Sequence, residues 1–200
     1  MAGQLRRTHP ERRNHERRRQ YGYEATGGTD NLTVKASKGV VAPGTDGSMT
    51  LSITGGADVD ASVSFNTGSA WTDVKLTDSY TITENEEPTT KTDEYAPVKW
   101  TLKEDGAIVN SLENTNLAAI EAYFKSASFH YDAGSTAVSL NYVLSWAWDF
   151  NGNDTYDTLL GLSMDNSTKV SSEEINGVLH TYSYATTIDF SLSVTITQID

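Results

Sequence analysis

The stretch Asp149-Phe150-Asn151-Gly152-Asn153-Asp154-Thr155-Tyr156-Asp157 is where side-chain oxygens crowd most regularly along the chain. Asp149, Asn151 and Asn153 alternate and Asp157 follows four residues on, an arrangement resembling the loops that wrap a hard cation such as calcium. A full EF-hand loop requires Gly at its sixth position and Glu at its twelfth, and here those places hold Asp154 and Leu160. The competing reading is a plain turn. In it Asn151-Gly152 reverses the chain and the acidic side chains bond nearby backbone. Calcium at Asp149, Asn151, Asn153 and Asp157 is the single cofactor the sequence suggests.

Other chemistries fail on spacing. His15-Glu16 opens like the zinc-protease helix motif, but a second His must follow one turn after the first so that both face one metal, and position 19 is Arg. Of the four histidines, His9 and His15 lie in a basic N-terminal segment, and His130 and His180 stand apart. With no cysteine there is no thiolate zinc site, no Cys nucleophile and no disulfide. No Ser sits in a nucleophile elbow and no Gly-rich phosphate loop precedes a helix. The expectation is a protein that is not an enzyme. Trp100, Trp146 and Trp148 could build a sugar-binding platform, but at strand spacing with one inward face they read as core.

The elements that must position these residues are strands. A chain of 200 residues has room for one domain with a real core, and its Thr, Ser, Val and Tyr content with 15 Gly and 4 Pro favours strands joined by tight turns. Its charge is divided. All seven Arg lie in residues 1–20 and all eight Lys beyond them, so the first twenty residues carry +5 and the rest, eight Lys against 25 acidic residues, −17. An acidic body repels nucleic acid and anionic lipid. No apolar run approaches the ~18 residues that span a bilayer, so neither a membrane span nor a nucleic-acid partner is expected.

Residues 1–20 are too polar to join a core and are expected to be a basic disordered tail, with the domain at 21–200. The abrupt change from Arg to Lys usage favours a segment that is not native protein, arising from a misplaced start or from a shifted reading frame where a leader has been lost. A solvated tail and a polyanion-binding arm are the alternatives.

Alternation then sets in. It runs through Leu32 to Ala36, through Met49, Leu51 and Ile53 after a turn at 42–47, through Val59 to Phe65, and again near 71–76. The acidic stretch 84–95 reads as an exposed loop, and Asp105-Gly106 as a hairpin turn between 98–102 and 107–109. Leu117, Ile120, Phe124 and Ala127 recur at helical spacing with Thr115 or Asn116 as cap, predicting one helix over about 116–129. Val138 to Phe150 alternates throughout as the spine of the core, long enough to need a bend or bulge, and Ile188 to Thr197 forms a last strand. About eight strands and one helix make an all-β fold, an antiparallel two-sheet β-sandwich of jelly-roll type with one inserted helix.

Three segments, Val41-Ala42-Pro43-Gly44-Thr45-Asp46-Gly47-Ser48-Met49, the Trp146-x-Trp148-x-Phe150 run with Asn153-Asp154 and Asp157-Thr158, and the ending Val194-Thr195-Ile196-Thr197-Gln198-Ile199-Asp200, resemble the TasA/camelysin family in order and spacing over about 170 residues. The resemblance implies a jelly-roll subunit, secreted through a dedicated signal peptidase, that forms biofilm-matrix fibres or sits on the cell surface. It implies self-association by strand addition from the mature N-terminus, with other matrix or accessory subunits as partners. Residues 1–20 lack the apolar leader and aromatic opening segment of that family. Its camelysin branch has been labelled a metallo-endopeptidase, an activity for which this chain has no matching zinc motif. A carbohydrate- or host-binding adhesin is the remaining alternative.

Overall fold

The computed structural model describes residues 24–26, 41–57, 59–149, 153–165 and 169–199. The basic tail and the strand expected at 32–36 lie outside the described residues. In chain order the elements are β1 (Glu24–Thr26), β2 (Thr45–Ala57), β3 (Ala61–Asn66), β4 (Lys75–Glu84), β5 (Glu87–Tyr95), β6 (Val98–Glu104) and β7 (Ala107–Ile108). They continue with α1 (Leu117–Ser126), β8 (Ser128–Tyr131), β9 (Ser135–Trp148), α2 (Asp154–Met164), β10 (Ser172–Ile175), β11 (Val178–Ala185) and β12 (Ser193–Gln198).

All pairings are antiparallel and the strands make the expected sandwich. One layer is a five-stranded sheet in the order β1-β2-β9-β6-β7. The other comprises β10-β11-β4-β5 and β12-β3-β8, which share one interrupted ladder: Ser193 faces Asn66, Asp189 bridges Thr72, and Ala185 faces Lys75. The core fills the space between. Leu140, Tyr142, Leu144, Trp146 and Trp148 of β9 are buried with Trp100 and Leu102 of β6, and the Phe65 ring of β3 meets Tyr142 edge-on at 5.8 Å. Each such side chain contributes roughly 1.5–3 kcal/mol by leaving water. The three tryptophans are therefore core.

Gly47 belongs to this core and not to the expected turn. It lies in β2 directly opposite Trp146, and a Cβ there would stand 2.5 Å from the indole nitrogen. The missing side chain is what lets the indole lie across the strand. The irregularity expected near β9 falls on its partner, where the register of β2 shifts between Gly55 and Ala57.

Four further expectations are corrected. The loop at 84–95 is β5, paired with β4 through a turn whose central residues Asn85 and Glu86 have φ of 52° and 70°, the left-handed pair that matches strand twist. Its polar sequence hid it because most of its side chains are exposed, and the charges and Pro88 blunt an edge strand. The helix at 116–129 is shorter, because the chain becomes extended at Ala127 and enters β8; Asn116 caps it by accepting from the Ala119 N–H. A second helix, α2, stands where a turn was expected. Asn153 caps it and Asp154 and Asp157 complement its N-terminal dipole. The Asp105-Gly106 hairpin is present, with φ of 47° and 83°. Ile188 to Leu192 precede the last strand instead of opening it.

Candidate functional site

The densest polar chemistry among the described residues lies where α2 meets the four-stranded sheet. Alternation along β4 sends Leu76, Asp78 and Tyr80 to one face, and the register sets Tyr182 opposite Asp78 on one side and Asp93 opposite it on the other. Asp78 is 0% exposed. Its Oδ2 accepts from the Tyr156 hydroxyl at 2.7 Å and pairs with His180 Nδ1 at 2.8 Å, while its Oδ1 has no protein partner. The His180 ring stacks on Tyr80 at 4.6 Å, and the Tyr80 hydroxyl donates to Asp93 Oδ2 at 3.1 Å.

A second carboxylate anchors the other side of α2. Asp157, 2% exposed, accepts at Oδ1 from the Tyr95 hydroxyl at 2.6 Å and from Trp148 Nε1 at 2.7 Å. The Tyr95 and Tyr156 rings meet at 5.6 Å and join the two halves of the cluster. Burial, followed by the bond to Asp157, pushes the Tyr95 hydroxyl above its ordinary range, and burial with the bond to Asp78 does the same for Tyr156. Both phenols are held as proton donors. Tyr182 is raised by burial and then by the Asp78 charge, and its hydroxyl is buried without a partner.

This arrangement positions α2 on the sheet. Asp78 and Asp157 are closed to solvent, so neither meets a substrate in this conformation. Their acceptor atoms hold donors from β5, β9, β11 and α2 itself, and loss of Asp157 would leave the buried Trp148 N–H unsatisfied at about 1–3 kcal/mol.

Of the four residues whose oxygens suggested calcium, three lie among the described residues. Asp149 is exposed just beyond β9, Asn151 lies outside the described residues, Asn153 caps α2, and Asp157 holds Tyr95 and Trp148. From Asp154 the backbone is helical, so the spacing of an extended loop does not carry through to Asp157. Among the described residues, no three His, Asp or Glu side chains gather as a metal would require. His9 and His15 lie outside the described residues, and His130 is an exposed partner of Asp132 at 3.2 Å.

Asp78, Tyr95, Tyr156, His180 and Tyr182 escaped the sequence reading. The signal was present in Leu76-x-Asp78-x-Tyr80, where a carboxylate occupies an inward register. Only the chain reversal that brings β11 beside β4 shows which donors meet it.

A different feature lies on the opposite sheet. The outer edge of β2 takes β1 as an added strand: Glu24, Ala25 and Thr26 pair with Thr54, Ile53 and Ser52. Beside that edge, the Trp146 Nε1–H is buried without an acceptor. No helix among the described residues is long and apolar enough to cross a membrane. No family model, curated protein or solved structure matches this chain.

Proposed function

We propose that this protein is a secreted structural subunit of extracellular matrix fibres or cell-surface filaments, assembling by β-strand addition between copies. The observation that carries the proposal is the pairing of β1 with β2: an N-terminal strand of three residues adds to the rim of a sheet whose receiving strand is 13 residues long. Main-chain hydrogen bonds supply such a joint whether the added strand comes from the same chain or a neighbour, and exchange between copies turns a fold into a filament. The resemblance to the TasA/camelysin family at 41–49, 145–158 and 194–200 supports the same role, as does the absence of cysteine, which suits export without an oxidation step. Other matrix or accessory subunits are the further partners this role implies.

Charge adds a condition. A body of −17 repels its own copies, and since the Debye length falls from roughly 30 Å at 0.01 M salt to roughly 8 Å at 0.15 M, assembly is faster in salt. Negative-stain microscopy of the full chain over a series of pH and salt concentrations tests the proposal. Fibres that lengthen with ionic strength are expected; monomers under every condition would refute it.

A further inference from the structure

The outer face of the four-stranded sheet differs from the rest of this acidic surface. Since Leu76, Asp78 and Tyr182 point inward, Ser79 and Thr81 of β4, Thr90 and Thr92 of β5, and Thr181 of β11 point outward. The register assembles them into rows, with Thr181 opposite Ser79 and Ser79 opposite Thr92, and Thr81 opposite Thr90 in the next row. Their hydroxyls approach across the strands, Ser79 to Thr92 at 3.4 Å and Thr81 to Thr90 at 3.2 Å. Leu179 projects beside them, 62% exposed, the most exposed of the large apolar residues among those described.

These residues enclose an open groove of about 490 Å³, lined by Ser79, Tyr80, Thr81, Thr90, Leu179 and Thr181. The volume falls within the roughly 300–1,000 Å³ of small-ligand sites. No charged residue lines it, although the body carries −17. That lining selects its ligand by chemistry. A polyanion is repelled by the surrounding charge, a cation finds no carboxylate in the groove, and the apolar surface given by Leu179, Tyr80 and the threonine methyls is interrupted by hydroxyls. A ligand whose own groups are uncharged hydroxyls, with C–H faces between them, matches both parts: each Ser or Thr hydroxyl donates and accepts, and Leu179 covers a C–H face.

We propose that this groove binds a neutral oligosaccharide chain. The site is remote from the β1–β2 edge and independent of whether the protein forms fibres. Affinity electrophoresis of the full chain through gels containing laminarin, hydroxyethylcellulose or galactomannan tests it. At least one of the three retards the native protein relative to a polysaccharide-free gel. Thr81→Glu with Thr181→Glu abolishes that retardation, and Thr81→Val with Thr181→Val, which keeps shape and strand preference while removing two hydroxyls, weakens it. Thr155→Glu on α2 leaves it unchanged, and melting curves of the variants verify that each is folded. Migration unaffected by all three polysaccharides, or retardation that survives the double Glu change, overturns the proposal. So does a concentration-dependent dimer, seen by sedimentation and abolished by the same substitutions in a protein that no polysaccharide retards, since it assigns the face to a second copy.

Discussion

The two helices seat on the sandwich with different shares of apolar contact and directed bonding. Under α1 the contact is mainly apolar: Phe124 meets Phe65 at 5.1 Å and Tyr142 at 5.3 Å, and Leu117 and Ile120 are buried beside it, with one buried carboxylate, Glu121, bonded to the Trp71 backbone. Under α2 a set of directed bonds is added to the buried Leu159 and Leu160: Asp157 receives Tyr95 and Trp148 while Tyr156 reaches Asp78. Apolar seating depends on volume and tolerates any side chain that fills the space. Bonded seating depends on matched donors and acceptors, so it fixes one geometry and fails sharply when a partner is lost. The α1 end is thus the general stabiliser, and the α2 end specifies how the four-stranded sheet is held.

Substitutions separate the two mechanisms. The largest loss is expected from Phe124→Ala, about 3–5 kcal/mol by urea unfolding, with much of it restored by Phe124→Leu because volume is what matters there. Asp157→Ala follows at about 1–3 kcal/mol, since it leaves the buried Trp148 N–H without its acceptor and removes one bond from the half-buried Tyr95 hydroxyl. Its rescue differs: Asp157→Asn keeps an acceptor and recovers most of the loss, whereas Asp157→Leu, which has the same branching but no acceptor, does not. If Leu rescues as well as Asn, the distinction between the two ends collapses. Gly47→Ala is expected to cost about 1–3 kcal/mol by driving Trp146 from its place over β2, with a change in near-ultraviolet circular dichroism.

The smallest effect is one of pH. Burial pushes the Asp73 carboxyl from 3.8 up to about 6, against the opposing bonds from Trp100 Nε1 at 2.6 Å and the Val74 N–H. The folded state therefore holds this proton more tightly than the unfolded chain. Its contribution is fully present below about pH 4 and is lost as the pH rises through about 6. Asp73→Asn should flatten that part of the stability–pH curve; an unchanged slope would place its cause elsewhere.

Much of the sandwich was legible because its strands bury one face. The alternation in β9, β2 and β3 and the three-and-four spacing in α1 all record contact with a single core. Where that contact weakens, the record fades. β5 exposes most of its side chains and read as a loop, and α2 presents Tyr156 and Asp157 to the sheet along with Leu159 and Leu160, so its polar residues resembled a cation-binding turn. The polar cluster was hidden for another reason: Asp78 and His180 are 102 residues apart, and local spacing carries no information about which distant donor will arrive. The Thr-rich face likewise needs the register of three strands before its rows exist.

Strand addition at the rim of β2 is the central functional claim, and the lack of any native cysteine permits a direct measurement. Copies carrying Glu24→Cys are mixed with copies carrying Thr54→Cys and oxidised under assembly conditions; these positions face one another in the β1–β2 register, where opposed Cα atoms about 4.5–5.5 Å apart lie within disulfide reach. The account predicts covalent dimers joining one copy of each kind. A bond that forms readily within chains carrying both substitutions, but never between the two singly substituted copies, would contradict it.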